Sequence, residues 1–508
     1  MDFLETFCRV SRKLMRRSCA FGAFIALVFP VALLAQETSS QKPMHHRYRV
    51  VVLGTDGGSD SYLAGYLFYA PLTEHGTIGV AGDTSIPGNY NSYTWTHGVR
   101  TDLQALPDQA GSPPNGTYIN WINQWGLAVG YASNGIQDSI AQETETKAVI
   151  WAPDGEIYPL ETLGGYQSQA IWVNELGQVS GWLENTTPDP YSMGAGAETT
   201  GFIWQFGILQ TLGTLGGPDS VGKFINDLGQ VSGHSYTSYT PNEVTGVPPI
   251  DPFIWEDGKM TDINPGNFGG AQGGTNYLNN AGQVVGFGTV PGEAGAHPFL
   301  WQKGKLTDLF LVGNLGGNLN SAYNVNERGD VVGIAALSDN SAFHAVLWRH
   351  DGAFTDLKTL AGDTCTQPYR INSHGQIVGF SGSCDFSTQH AFLWENGEMV
   401  DLDTLIPSDS GIQLSTANWI TERGEIAAQA TLTTGGAYRA VVLIPDGECD
   451  GDCAARVAAR HDEQRAAPMS TNTEATLGVE SIVIGNPTGS SRPSPLRPFL
   501  ASRPHPQN

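Results

Sequence analysis

A four-residue turn closing on glycine recurs at Gly76, Gly126, Gly177, Gly229, Gly282, Gly329, Gly375 and Gly424, at intervals of 46 to 53 residues. A period this steady across residues 76–424 means equal supersecondary units set side by side, and it outweighs anything composition says. Two further landmarks keep the same order. An apolar run closes on Trp95, Trp151, Trp204, Trp255, Trp301, Trp348 and Trp394, with 440–444 as an eighth copy lacking the indole. After it comes an Asp-Leu or Thr-Leu segment, followed by glycines at Thr162-Leu163-Gly164-Gly165, Thr214-Leu215-Gly216-Gly217 and Asn314-Leu315-Gly316-Gly317. Weaker forms stand at Asp102-Leu103, Asp262-Ile263, Asp356-Leu357 and Asp401-Leu402.

Each unit reads as four short strands. The first two are joined by a turn such as Asn226-Asp227-Leu228-Gly229, whose last residue enters the left-handed region where a Cβ would clash. Helices would need apolar residues at i, i+3 and i+4 over a dozen positions, and no such stretch occurs before residue 453. Four antiparallel strands in about 50 residues make one propeller blade. The ends of the array fix its closure. Residues 48–53, followed by Gly54-Thr55-Asp56-Gly57-Gly58, read as a fourth strand with no three before it. Residues 439–444 read as a third strand with no fourth after it, so the N-terminal strand completes the last blade and removes two sheet edges. The expectation is an all-β propeller of eight four-stranded blades over 47–447. Seven is the alternative, because the first and last units are degenerate.

The segments His390-Ala391-Phe392-Leu393-Trp394, His344-Ala345-Val346-Leu347-Trp348 and His297-Pro298-Phe299-Leu300-Trp301 resemble the signature of the HAF repeats, found in bacterial proteins of extracellular type. Leu212-Gly213-Thr214-Leu215-Gly216-Gly217 and Ile371-Asn372-Ser373-His374-Gly375-Gln376-Ile377-Val378-Gly379 match the companion segments. The resemblance covers residues 50–445. It implies export and a repeat fold, and it implies no activity and no catalytic residues.

Address and charge agree with export. Arg12, Lys13, Arg16 and Arg17 precede an apolar run at 19–35, and Ala35 offers a cleavage site, so 1–35 is expected to be a signal peptide, with an uncleaved anchor as the alternative. A linker at 36–46 follows. The net charge of −24 is concentrated in the repeats, which disfavours a nucleic-acid partner. Cys365 and Cys384 flank the Gly375 turn as a hairpin disulfide would require, and Cys449 with Cys453 would staple an acidic loop at 448–453. Residues 454–467 read as a short helix, from Pro468 onward Ser, Thr, Pro and Arg dominate, and 454–508 as a whole is expected to be a disordered tail.

Catalytic grammar is missing from the sequence: no Gly-x-Ser-x-Gly, no phosphate loop, no His-Glu-x-x-His and no Asp box. His297, His344 and His390 stand in different repeats, so a strand-capping role is expected and no metal site. The run from Asp446 lacks the twelfth-position Glu of a calcium loop, since Val457 stands there. Trp121, Trp172, Phe224, Tyr277 and Trp419 precede the first turn at a fixed distance, with Tyr323 and Tyr369 shifted by one. They either ring a central channel that stacks flat ligands or wedge between blades, and repetition favours the wedge. The Asp of the fourth strand is expected to hold a local turn. What varies is the connection between second and third strands, long at 132–146, 184–200 and 235–251. That face is the expected recognition surface. The reading is a monomeric, exported, noncatalytic scaffold for a protein or glycan, without cofactor and without membrane contact beyond the leader. The alternative is a hydrolase or lyase with its site on the long-loop face.

Overall fold

The computed structural model describes residues 45–446, apart from residues 68, 87–89, 108–115, 244, 265–267 and 294. They form eight four-stranded antiparallel sheets, one per repeat. Blades 1 to 7 occupy 61–102, 117–159, 168–211, 220–262, 273–308, 316–358 and 365–401, each with strands a to d in chain order. Blade 8 takes strands a to c from 412–445 and strand d from Tyr48–Val52. Tyr48 lies opposite Pro445 and Val52 opposite Val441. The ring therefore has eight blades, not seven, and the N-terminal strand closes it. The leader, the linker up to residue 44, Cys449, Cys453 and the tail lie outside the described residues.

The a–b turns carry positive φ at all eight glycines, from 72° at Gly282 to 89° at Gly329. Their asparagines do more than shape the turn. In blade 4 Asn226 Oδ1 accepts from the N–H groups of Leu228 and Gln230, while its Nδ2 donates to the carbonyl of Asn279 in blade 5. The same bond runs from Asn123 to Asn174, Asn174 to Asn226, Asn279 to Asn326, Asn326 to Asn372 and Asn372 to Thr421. Blades 1 and 8 have Thr73 and Thr421, which hold the turn but carry no amide. There Glu422 N–H donates to the Glu74 carboxylate, and Glu74 N–H to Gln124 Oε1. The turn face is thus tied blade to blade around the ring.

Asn226→Ala is expected to cost about 3 kcal/mol in urea unfolding, because it strands two N–H groups and a carbonyl at a buried position. Asn226→Asp restores the turn acceptor but sets a carboxylate against the Asn279 carbonyl, and is expected to recover less than half of that loss. A loss under about 1 kcal/mol for the alanine variant would show that the bond between blades adds nothing to stability.

Strand a of blades 2 to 8 bulges two residues before the turn asparagine or threonine or close to it, between Ile119 and Trp121 in blade 2 and between Gly222 and Phe224 in blade 4. The bulge presses the strand onto its neighbour. A Cβ on Gly233 would lie 1.9 Å from the Val221 carbonyl, and Gly130 and Gly379 are equally confined. The bulged side chain reaches the next blade: Asn120 Nδ2 donates to Ala170 O, and Lys223 Nζ to Thr275 O. Burial pulls the Lys223 amine down to about 8. The residue after the bulge points to the axis. These are Trp121, Trp172, Phe224, Tyr277, Asn324, Arg370 and Trp419, whereas Tyr323 and Tyr369 occupy the bulge itself. The one-residue shift seen in the sequence is therefore a change of side-chain direction.

Blade 1 breaks this rule. Its strand a pairs at Ser61–Leu63, and pairing resumes only where Leu72 faces Ile78. The excursion between them carries Tyr69 into the axis, where its ring centroid lies 5.5 Å from Tyr277, 5.8 Å from Phe224, 6.0 Å from Trp419 and 6.2 Å from Trp172. Its hydroxyl donates to Tyr323 O at 2.6 Å and Asn276 O at 3.0 Å. Trp121 stacks on Trp172 at 3.5 Å, and the Arg370 guanidinium lies over Trp419 at 4.1 Å. The aromatics neither line an open channel nor merely wedge between neighbours. They meet across the axis as a filled core.

Candidate functional site

Cys365 and Cys384 form the expected disulfide across the edge of blade 7. The three histidines that open strand c do not cap it. His297 Nδ1 bonds Asp308 at 2.8 Å and His344 Nδ1 bonds Asp356 at 3.0 Å, each partner being the strand-d aspartate of its own blade. In blade 7 His390 bonds Asp363 at 3.1 Å instead, and Asp401 caps the short 3-10 turn at Leu402–Leu405. The aspartates also hold local turns, as expected. Asp308 accepts from Phe310 N–H, Asp356 from Lys358 N–H and Asp262 from Asn264 N–H.

With the axis filled and the turns tied together, the long-hairpin face is where the repeats diverge. Two of its three long loops are extended ladders. In blade 2 pairing continues to Gln137 opposite Thr144, and in blade 3 to Pro188 opposite Ala197. Only in blade 4 does a true loop follow the last pair, Tyr236 with Ile250. The sequence could not show this, because these ladders resume after an irregularity and lack clean alternation.

Buried carboxylates hold the blade 3 tip in shape. Glu184 Oε1 accepts from the N–H groups of Ala195, Gly196 and Ala197, and Asp219, from the start of blade 4, accepts from Met193 and Thr199. Asp138 does the same for the blade 2 tip through Ile140 and Ala141, and receives Gln167 Nε2. Between the two tips Tyr131, Glu143, Thr146, Gln167, Gln169, Trp182 and Ala195 line a cleft with a cavity volume of about 10 Å³. That is room for about one water molecule and far below the hundreds of Å³ of a small-molecule site. The face is a shaped surface here, and recognition on it would be by contact.

Burial raises Glu184 from 4.5 to about 7 and Asp219 from 3.8 to about 7, against the pull of their N–H donors, with Asp138 adding to the first and Asp189 and Glu198 to the second. A carboxyl that binds its proton more tightly when folded contributes stability that is complete below its unfolded value. That contribution is lost as pH rises through the folded value. The melting temperature is therefore expected to fall as pH rises from about 4.5 to 7, and Glu184→Gln to flatten this slope. Identical slopes for parent and variant by scanning calorimetry would refute it.

The opposite face shows a feature that the turn pattern hid. The third turn residue is Trp125, Leu176 and Leu228 in blades 2 to 4, all exposed, and Phe206 and Ile208 stand exposed beside them in blade 3. The sequence signal was present as apolar letters in an otherwise polar turn.

No family model matches the chain and no curated protein does. Among solved structures it is similar to Porphyromonas gingivalis dipeptidyl peptidase 4, at 10% identity over 77% of this chain and 62% of that one, TM-score 0.41. It is similar to Trypanosoma rangeli sialidase at 8% identity over 82% and 62%, TM-score 0.29. It is similar to a PL25 ulvan lyase at 10% identity over 77% and 86%, TM-score 0.25. The chain spans 62% of the length of the peptidase and of the sialidase. At these identities and scores the likenesses carry nothing about activity.

Proposed function

We propose that the chain is an exported, noncatalytic scaffold of HAF-repeat type that binds a protein or glycan on its long-hairpin face. The observation that carries this is the contrast between a uniform frame and three divergent hairpins. Turns, bulges and strand-c residues repeat through most of the blades, while the connections at 138–143, 189–196 and 237–249 differ in length, and buried carboxylates hold the first two in shape. A ring that repeats its own geometry and varies these tips presents them as a surface. The disulfide in blade 7 supports the exported state, since such bonds persist in oxidising compartments.

The test is a glycan array and a surface-protein binding screen on the full chain as secreted, run beside a variant with all three tips cut to short turns. Loss of a ligand on trimming is expected. Unchanged binding after trimming refutes the reading. Loss on Leu176→Ser with Leu228→Ser, with the tips irrelevant, moves the site to the turn face and also refutes it.

A further inference from the structure

The ring closes where blade 8 meets blade 1, and closure brings together side chains from three distant parts of the chain. On the long-hairpin face there, Tyr62 is the second residue of strand a of blade 1, Tyr90 opens its strand c, and Tyr438 opens strand c of blade 8. The Tyr62 ring lies 5.9 Å from Tyr90, edge to face, and 6.0 Å from Tyr438. The three keep access to solvent, with Tyr438 39% exposed. Beside them the loop before strand a is folded onto the end of strand b. Asp56 N–H and Gly58 N–H both donate to Asp83 O, and Asp83 N–H donates to Asp60 O. Gly58 permits this approach, because a Cβ there would meet the Asp83 Cβ at 2.5 Å.

The result is two acidic residues set side by side, Asp60 and Asp83, joined through the backbone by Asp83 N–H to Asp60 O. Asp60 is fixed by Tyr438 N–H and the Ser59 hydroxyl. Burial and the Asp60 charge raise the proton affinity of Asp83. Two cations stand near: Arg439 donates to the carbonyls of Ser59 and Tyr438 and feels the Asp60 charge, and Arg100 pairs with Asp56 and Asp102, so the acids Asp56, Asp60, Asp83 and Asp102 outnumber them.

We propose that this seam binds a neutral oligosaccharide, with sugar rings stacked on Tyr62, Tyr90 and Tyr438 and hydroxyls held by Asp60 and Asp83. Aromatic faces flanked by carboxyl groups suit the apolar and hydroxyl sides of a pyranose. Two adjoining acids repel uronate or sulfate groups, which selects neutral sugars. The inference rests on the reading of this face as the recognition surface and names the ligand class for it.

The experiment is affinity electrophoresis of the full chain in gels holding hydroxyethylcellulose, xyloglucan or glycogen, with polygalacturonate as the anionic comparison. Retardation by at least one neutral polymer and none by polygalacturonate is expected. Tyr62→Ala with Tyr438→Ala is expected to weaken that binding about tenfold, while Tyr158→Ala, at an exposed tyrosine of blade 2 outside the seam, leaves it within about twofold. Unchanged circular dichroism and melting temperature show that the variants fold. Absence of retardation by every neutral polymer overturns the inference, as does binding that survives the double variant. If a glycan or protein ligand is lost on trimming the tips but not in the tyrosine variants, the inference falls and the recognition face stands. Release of reducing ends from the bound polymer also overturns it, by showing cleavage.

Discussion

A chain beginning at Gly54, without the closing strand, is expected to yield no soluble folded monomer. Tyr48, Val50, Val51 and Leu53 are all buried, and Tyr48 and Val50 pack with Val378, Leu393, Ile426 and Leu443 in a cluster that joins blades 7 and 8. Burial of four such side chains contributes on the order of 8 kcal/mol, comparable with the whole stability of an ordinary domain. The loss is compounded by geometry. Without strand d, Tyr438–Pro445 becomes an open edge with unpaired backbone groups, which is a template for association. Size-exclusion chromatography should show aggregates or dimers, and a peptide covering residues 45–54 should restore the monomer when added in excess. A truncated chain that is monomeric and melts within a few degrees of the parent would refute the closure argument.

Tyr69→Ala is the single substitution with the largest expected effect, about 5 kcal/mol in urea unfolding. The ring touches four aromatics from four blades, and its one hydroxyl proton is shared between the carbonyls of Tyr323 and Asn276. Removing it opens a cavity on the axis that the surrounding strands cannot close, because each is held at its own radius by the turn belt. Tyr69→Phe separates the two contributions and is expected to cost about 1 to 2 kcal/mol, the share of the hydroxyl. Trp172 and Trp419 face the vacated space, so the alanine variant should also shift tryptophan emission to the red. A cost below about 1 kcal/mol would mean that the axis is not a packed core.

The parts of this architecture legible in the sequence are those decided within a few residues. Positive φ at Gly126 or Gly375 is demanded by the turn itself, the apolar run 391–394 by burial on both faces, and the bond Asp308 accepts from Phe310 N–H by a spacing of two residues. The Asn belt was half legible. Asn226 had a sufficient local role as turn acceptor, so nothing in the sequence called for a second partner, and Asn279 lies 53 residues away. The histidines were misread for the same reason. Capping is the local answer, while the aspartate that His344 meets comes from the next strand.

The candidate sites were the least legible. Tyr62, Tyr90 and Tyr438 have no shared motif, and they meet only because the first strand of the described chain completes the last blade. Glu184 and Asp219 likewise come from neighbouring blades and meet around one hairpin tip. The sequence by itself determined the repeat, its four strands, its turns, the disulfide between Cys365 and Cys384 and the closure of the ring, since repetition amplifies local rules until they cannot be missed. Tertiary structure alone decided that the axis is plugged by Tyr69, that the blades are tied at their turns, and which side chains share the seam. Those outcomes depend on distances set by the radius of a closed ring, and no local rule carries that length.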